Sequence, residues 1–186
     1  MLIRPTFFRP ALLAAAALTL LTTQPAATTA FAATADADLI RADHVAAPDT
    51  PQAAAAVLTA RRYATFWHTG DARYATAALS PQFVDRTLPA GRMQGPQGPL
   101  DASKAFRTAV PDMRVQIEDM VVAGDRVSVH LHFRGHFTGE FGRTHGQNQP
   151  IDFQAFDLYR IADGKIAENW HLEDNQTLLR QMGLQP

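Results

Sequence analysis

Apolar and polar positions alternate with two different periods along this chain, and the change of period divides it into a helical first part and a stranded second part. Over residues 53–68, Val57, Leu58, Tyr63, Ala64, Phe66 and Trp67 recur at helical spacing, and Thr69-Gly70 ends the run. Asp71 is placed to cap a second, shorter helix through Leu79, and Asp101 to cap a third that reaches Val110 before Pro111 stops it. Between them, residues 81–100 hold Pro81, Pro89, Gly91, Gly95, Pro96, Gly98 and Pro99, the composition of a long irregular connection, with a strand-like fragment at 83–87.

From residue 113 the period becomes two. Strands are predicted over 113–122, 126–137, 151–161 and 165–172, with turns at Ala123-Gly124-Asp125 and Asp163-Gly164, and a polar, Gly-containing loop over 139–150 that is expected to be mobile near a pocket mouth. A last helix over 175–182 is capped by Asp174 and closed by Gly183. Helices first and an antiparallel sheet second give an α+β fold.

The hairpin DLYRIADGKIAENWH sets the register of the last two strands. A three-residue loop Ala162-Asp163-Gly164 pairs Ile161 with Lys165, places Asp157 opposite Asn169 and Ala155 opposite His171, and makes Asp157 and His171 diagonal neighbours on one face with Phe153 and Ala155. A two-residue loop instead puts Asp157 opposite Trp170, pointing away from His171. Phe156, Leu158, Trp170 and Leu172 form the opposite face, too apolar for plain solvent and suited to a homodimer contact or a helix.

A carboxylate beside an imidazole holds one tautomer, stabilises the charged ring and leaves its other nitrogen to move a proton, so His171 and Asp157 are the candidate catalytic dyad and Asn169 a candidate oxyanion donor. The same pair also fits a buried hydrogen bond that only fastens two strands. His130, His132, Arg134 and His136 share a strand face. No carboxylate is spaced to complete a metal set with them, so they are read as a polar stripe at a pocket mouth, with His132 and Arg134 as candidate ligand contacts. Trp67, Phe83, Met93, Phe106, Met113 and Phe153 fit pocket lining or plain core, and Asp85 could present a carboxylate at the mouth.

Composition narrows the setting. Arg4 and Arg9 precede an apolar run over 11–21 and an Ala30-Phe31-Ala32 end, the pattern of a secretory signal peptide cleaved near Ala32, with residues 33–52 as an Ala/Pro/Thr-rich linker and 53–186 as the domain. A periplasmic or secreted location is therefore expected. Loss of Arg4 and Arg9 takes the formal charge from −1 to −3, which argues against nucleic-acid and anionic-membrane partners. The chain has no cysteine, which removes disulfides, thiolate chemistry and Cys-bound zinc. No phosphate loop, nucleophile elbow or HExxH motif is present.

The segments FRTAVPDMRVQIEDMVVAGDRVSVHLHFRGHFTGEF and DLYRIADGKIAENWHLEDNQTLLRQMG resemble the SnoaL-like polyketide cyclases and predicted ester cyclases of the nuclear-transport-factor-two-like superfamily, over about 53–183. The resemblance implies a cone of curved antiparallel sheet wrapped around N-terminal helices, an apolar pocket, a small hydrophobic ligand and an acid/base mechanism with no cofactor and no metal. It also implies a catalytic aspartate at the position of His171 and a histidine at that of Asp157, so the two residue types look exchanged here. The functional expectation is cyclase, isomerase or lyase chemistry on a small hydrophobic carbonyl compound. The alternative is a non-catalytic carrier or sensor that uses the same pocket.

Overall fold

The computed structural model describes residues 36–184. The signal peptide inferred from residues 1–32 lies outside them. Chain order is β1 (Ala42–Ala46), α1 (Pro51–Thr69), α2 (Ala72–Ala78), β2 (Leu79–Asp85), α3 (Gln97–Ala109), β3 (Arg114–Ala123), β4 (Arg126–Phe137), β5 (Glu140–Phe141), β6 (Thr144–His145), β7 (Gln149–Ala162), β8 (Lys165–Glu173) and α4 (Asn175–Gln181). A curved, unclosed six-stranded sheet runs β1-β3-β4-β7-β8-β2, antiparallel at its centre and parallel at both flanks, while β5 and β6 form a small separate hairpin within the expected loop.

Helix α1 begins where Thr50 accepts from Ala53 N and ends at Gly70, whose left-handed φ of 76° lets its N–H reach Phe66 O. Its inner stripe of Ala53, Ala56, Ala60, Tyr63, Ala64 and Phe66 packs into the core with Val127, Val129, Leu131 and Tyr159 from the concave sheet face. Asp101 does not cap α3. That helix starts earlier, at Gln97, so Asp101 sits inside its first turns and accepts from the Gln97 side chain. The stretch read as linker also carries structure: β1 pairs with β3, Leu39 is buried, and Arg61 ties down the carbonyls of Leu39 and Ile40. Its low apolar content hid an element held mainly by backbone hydrogen bonds.

The β7–β8 hairpin turns on two residues. Asp163 and Gly164 both have positive φ, 49° and 69°, and Ala162 pairs with Lys165. Register then shifts by one residue: Ile161 faces Ile166, Arg160 faces Glu168, and Ala167 has no partner. This bulge adds a second residue of offset, which brings His171 back to the face of Asp157, so Tyr159 opposes Asn169 and Asp157 directly opposes His171. The three-residue loop is corrected, and the dyad it suggested forms more directly than as a diagonal pair.

Candidate functional site

Asp157, on the inner face of central strand β7, has a side chain only 2% exposed. Its Oδ1 accepts from His171 Nδ1 at 2.8 Å and from Asn169 Nδ2 at 3.2 Å, while Oδ2 accepts from the Tyr159 hydroxyl at 2.7 Å. Burial, followed by the charge of Asp157, pushes the Tyr159 hydroxyl well above its ordinary range, so it stays neutral and donates. Burial does the same to Tyr63, which packs edge-on against Tyr159 at 5.7 Å. The buried carboxylate is thus surrounded by donors, and among the described residues its one cationic neighbour within hydrogen-bond distance is His171.

His171 lies between two carboxylates. Its Nε2 is 3.2 Å from Glu173 Oε2, two residues further along β8. Burial favours the neutral ring, but the charge and hydrogen bond of Asp157, reinforced by Glu173, outweigh it and raise the pKa from 6.5 to about 10. At neutral pH the ring is an imidazolium that donates from both nitrogens. His171 is therefore an acid and a cationic donor, whereas the sequence left both acid and base roles open near neutrality. Its backbone N–H donates to Thr87 Oγ1, and Thr87 Oγ1 in turn donates to Asp85 Oδ1 at 3.2 Å.

Asp85 pairs across strands with Asn169, is buried on the same face, and sits 3.9 Å from Arg92. Asn169 was expected to donate to an oxyanion. Its amide N–H instead serves Asp157, and its buried Oδ1 has no partner. The reverse amide orientation would set that oxygen against the carboxylate, so the free group is an acceptor.

Other expected ligand contacts separate from this cluster. His132 and Arg134 point to the outer face, because Leu131 and Phe133 between and beside them take the inner one. There His132 is held by Glu118, Asp152 and Arg134, and His130 by Asp119 and Gln154. A bulge at Glu118 helps bring both Glu118 and Asp119 to this stripe. Met93 is 62% exposed in the loop before α3 and lines no inner surface. Phe153 stacks on Phe133 at 5.0 Å and meets Phe106 edge-on at 6.0 Å, an aromatic core cluster. Phe83 and Met113 are likewise buried core, and Trp67 packs beside Tyr63 and Phe66.

Two surface concavities are formed by the described residues. One, of about 470 Å³, is lined by Phe153, Phe156, Leu172, Glu173, Asp174 and Thr177 among others, and Glu173 is the lining residue that bonds His171. The other, of about 460 Å³, lies among α1, α2 and α3. Tyr63, Tyr159, Thr87 and Glu173 were missed in the sequence. Glu173, two residues from His171, and Tyr159, two residues from Asp157, each had a visible signal, since residues two apart on a strand share a face.

The model of SnoaL-like polyketide cyclases matches residues 57–182. The chain belongs to that family. No curated protein matches it. Among solved structures, a Bacillus cereus ATCC 10987 protein described as a "Putative polyketide cyclase" is 37% identical with a TM-score of 0.72, the match covering 80% of this chain and 96% of that one. TsrD from Streptomyces laurentii is 23% identical with a TM-score of 0.65, covering 71% of this chain and 97% of the other. A Catenulispora acidiphila protein with a ketosteroid isomerase-like fold, in complex with trimethylamine, is 20% identical with a TM-score of 0.54, covering 68% and 93%. The last two support the fold. SnoaL-like membership suggests cofactor-independent cyclase or isomerase-type function and a small hydrophobic ligand. No helix among the described residues is long and apolar enough to cross a membrane.

Proposed function

We propose that this SnoaL-like domain performs cofactor-independent proton transfer on a small hydrophobic carbonyl compound, with His171 as the acid and Asp157 as the group that keeps it charged. The observation that carries this reading is the bond of a buried, donor-saturated carboxylate to an imidazolium whose other nitrogen meets only a half-exposed carboxylate. A substrate carbonyl oxygen that replaces Glu173 at Nε2 receives the proton. The displaced Glu173 carboxylate takes a proton from the carbon next to that carbonyl, giving an enol; as the enol carbon attacks a second carbonyl to close a ring, the enol O–H returns its proton to His171 and the Glu173 carboxyl protonates the new alkoxide. Asn169 Oδ1 offers an acceptor to a hydroxyl on the same substrate.

Compared with the acid/base arrangement implied by the resemblance, histidine and aspartate exchange strands and the acid is cationic. The proposal includes export, supported by the pattern of Arg4, Arg9 and the apolar run that follows. The test is single-turnover deuterium exchange at the α-carbon of an aromatic β-dicarbonyl compound. Wild type should accelerate exchange and His171→Gln should not. Ligand binding with no exchange by either protein would leave a carrier, not an enzyme.

A further inference from the structure

The groove among α1, α2 and α3 contains buried polar groups that none of the described residues satisfies. Ser103, 2% exposed, has an Oγ with no hydrogen-bond partner. One turn further along α3, Arg107 has a buried Nε with none either. The Arg107 Nη2 donates to the carbonyls of Trp67 at 2.7 Å and His68 at 2.5 Å, and more weakly to Met113 O at 3.4 Å. Among the described residues no carboxylate pairs with this guanidinium. A half-buried cation held only by neutral carbonyls and two orphaned polar atoms are both costly arrangements.

The surroundings are shaped for an occupant. Gly70 closes α1 with φ 76°, and a side chain there would put a Cβ 2.7 Å from Arg107 Nε, so the glycine leaves the space across which Arg107 lies. Lys104 adds a second cation at the rim, Thr69 and Thr108 add hydroxyls, and Phe66 and Leu100 give an apolar wall. A volume of about 460 Å³ falls within the range of small-molecule sites.

We propose that this groove is a second binding site, separate from the dyad, for a small organic carboxylate. The carboxylate accepts from Ser103 Oγ and faces the Arg107 and Lys104 charges, and its apolar body lies on Phe66 and Leu100. None of the residues of the Asp157–His171 cluster lines the groove, so the inference stands apart from the reaction proposed above.

Isothermal titration of the full chain with benzoate, with uncharged benzamide as control, tests it. Benzoate should bind saturably and benzamide should not. Ser103→Ala should weaken benzoate about tenfold, as loss of one hydrogen bond to a charged group does, and Lys104→Gln should weaken it less, both with unchanged circular dichroism. His171→Gln should bind benzoate as wild type does. Equal binding of benzoate and benzamide, full affinity in Ser103→Ala, or loss of affinity in His171→Gln would each overturn the proposal.

Discussion

Asp157 and His171 stand directly opposite each other on β7 and β8, joined by a 2.8 Å hydrogen bond from Nδ1 to Oδ1. The pair is a stability element as well as a candidate site. Asp157→Ala, which removes the anion and leaves the imidazolium, Asn169 and Tyr159 donors facing a void, should destabilise the fold by about 3 kcal/mol. Urea denaturation measures it, and a loss below about 1 kcal/mol would mean that the pair is not coupled to folding.

The histidine's raised pKa sets a direction for pH dependence. Folded His171 holds its proton to about pH 10 and the unfolded ring to about 6.5. Its contribution to stability is therefore complete below pH 6.5 and is lost as pH rises from there through 10. Unfolding midpoints of wild type should fall over that window relative to His171→Gln. Parallel curves for the two proteins would refute a charged His171.

Glu173 is the second carboxylate supporting that charge. Glu173→Gln should lower the His171 pKa, which the shift of its ring proton resonances with pH reports directly. In turnover it should move the alkaline limb toward neutrality, and the loss of the proposed carbon base should reduce kcat by about a hundredfold or more. A variant with wild-type titration and rate would remove Glu173 from the site.

The outer sheet face offers Phe156, Leu158 and Leu172 to solvent, 51%, 38% and 70% exposed, beside Trp170 under the Arg126 guanidinium. We expect this face to pair two copies of the chain. Sedimentation at micromolar concentration should show a dimer that Leu158→Asp converts to monomer, whereas a wild-type monomer would dispose of the idea.

The bulge at Ala167 decides which residues meet. Deleting Ala167 removes the extra residue and leaves Ile166 and Glu168 consecutive opposite Ile161 and Arg160, so Asp157 still opposes His171 and exchange activity should persist, whereas its loss with helix content intact would show that the bulge's local twist aims the ring. Circular dichroism together with the exchange assay distinguishes the two outcomes.

Alternation along β7 by itself determined that Phe153, Ala155 and Asp157 share one face and Phe156 and Leu158 the other, because a strand has only two faces. The amphipathic spacing of α1 and the cap at Asp174 were equally local, and so readable. Register was not, since a two-residue turn and a compensating bulge together give a pairing that neither implies alone. The outward turn of His132 and Arg134 followed from their neighbours, but only the packed helices show which sheet face holds the site. The meeting of Tyr159, Asn169, His171 and Glu173 around one carboxylate, and its effect on the histidine's charge, came from tertiary structure. Burial and charge proximity are sums over residues far apart in the chain, and no local pattern carries them.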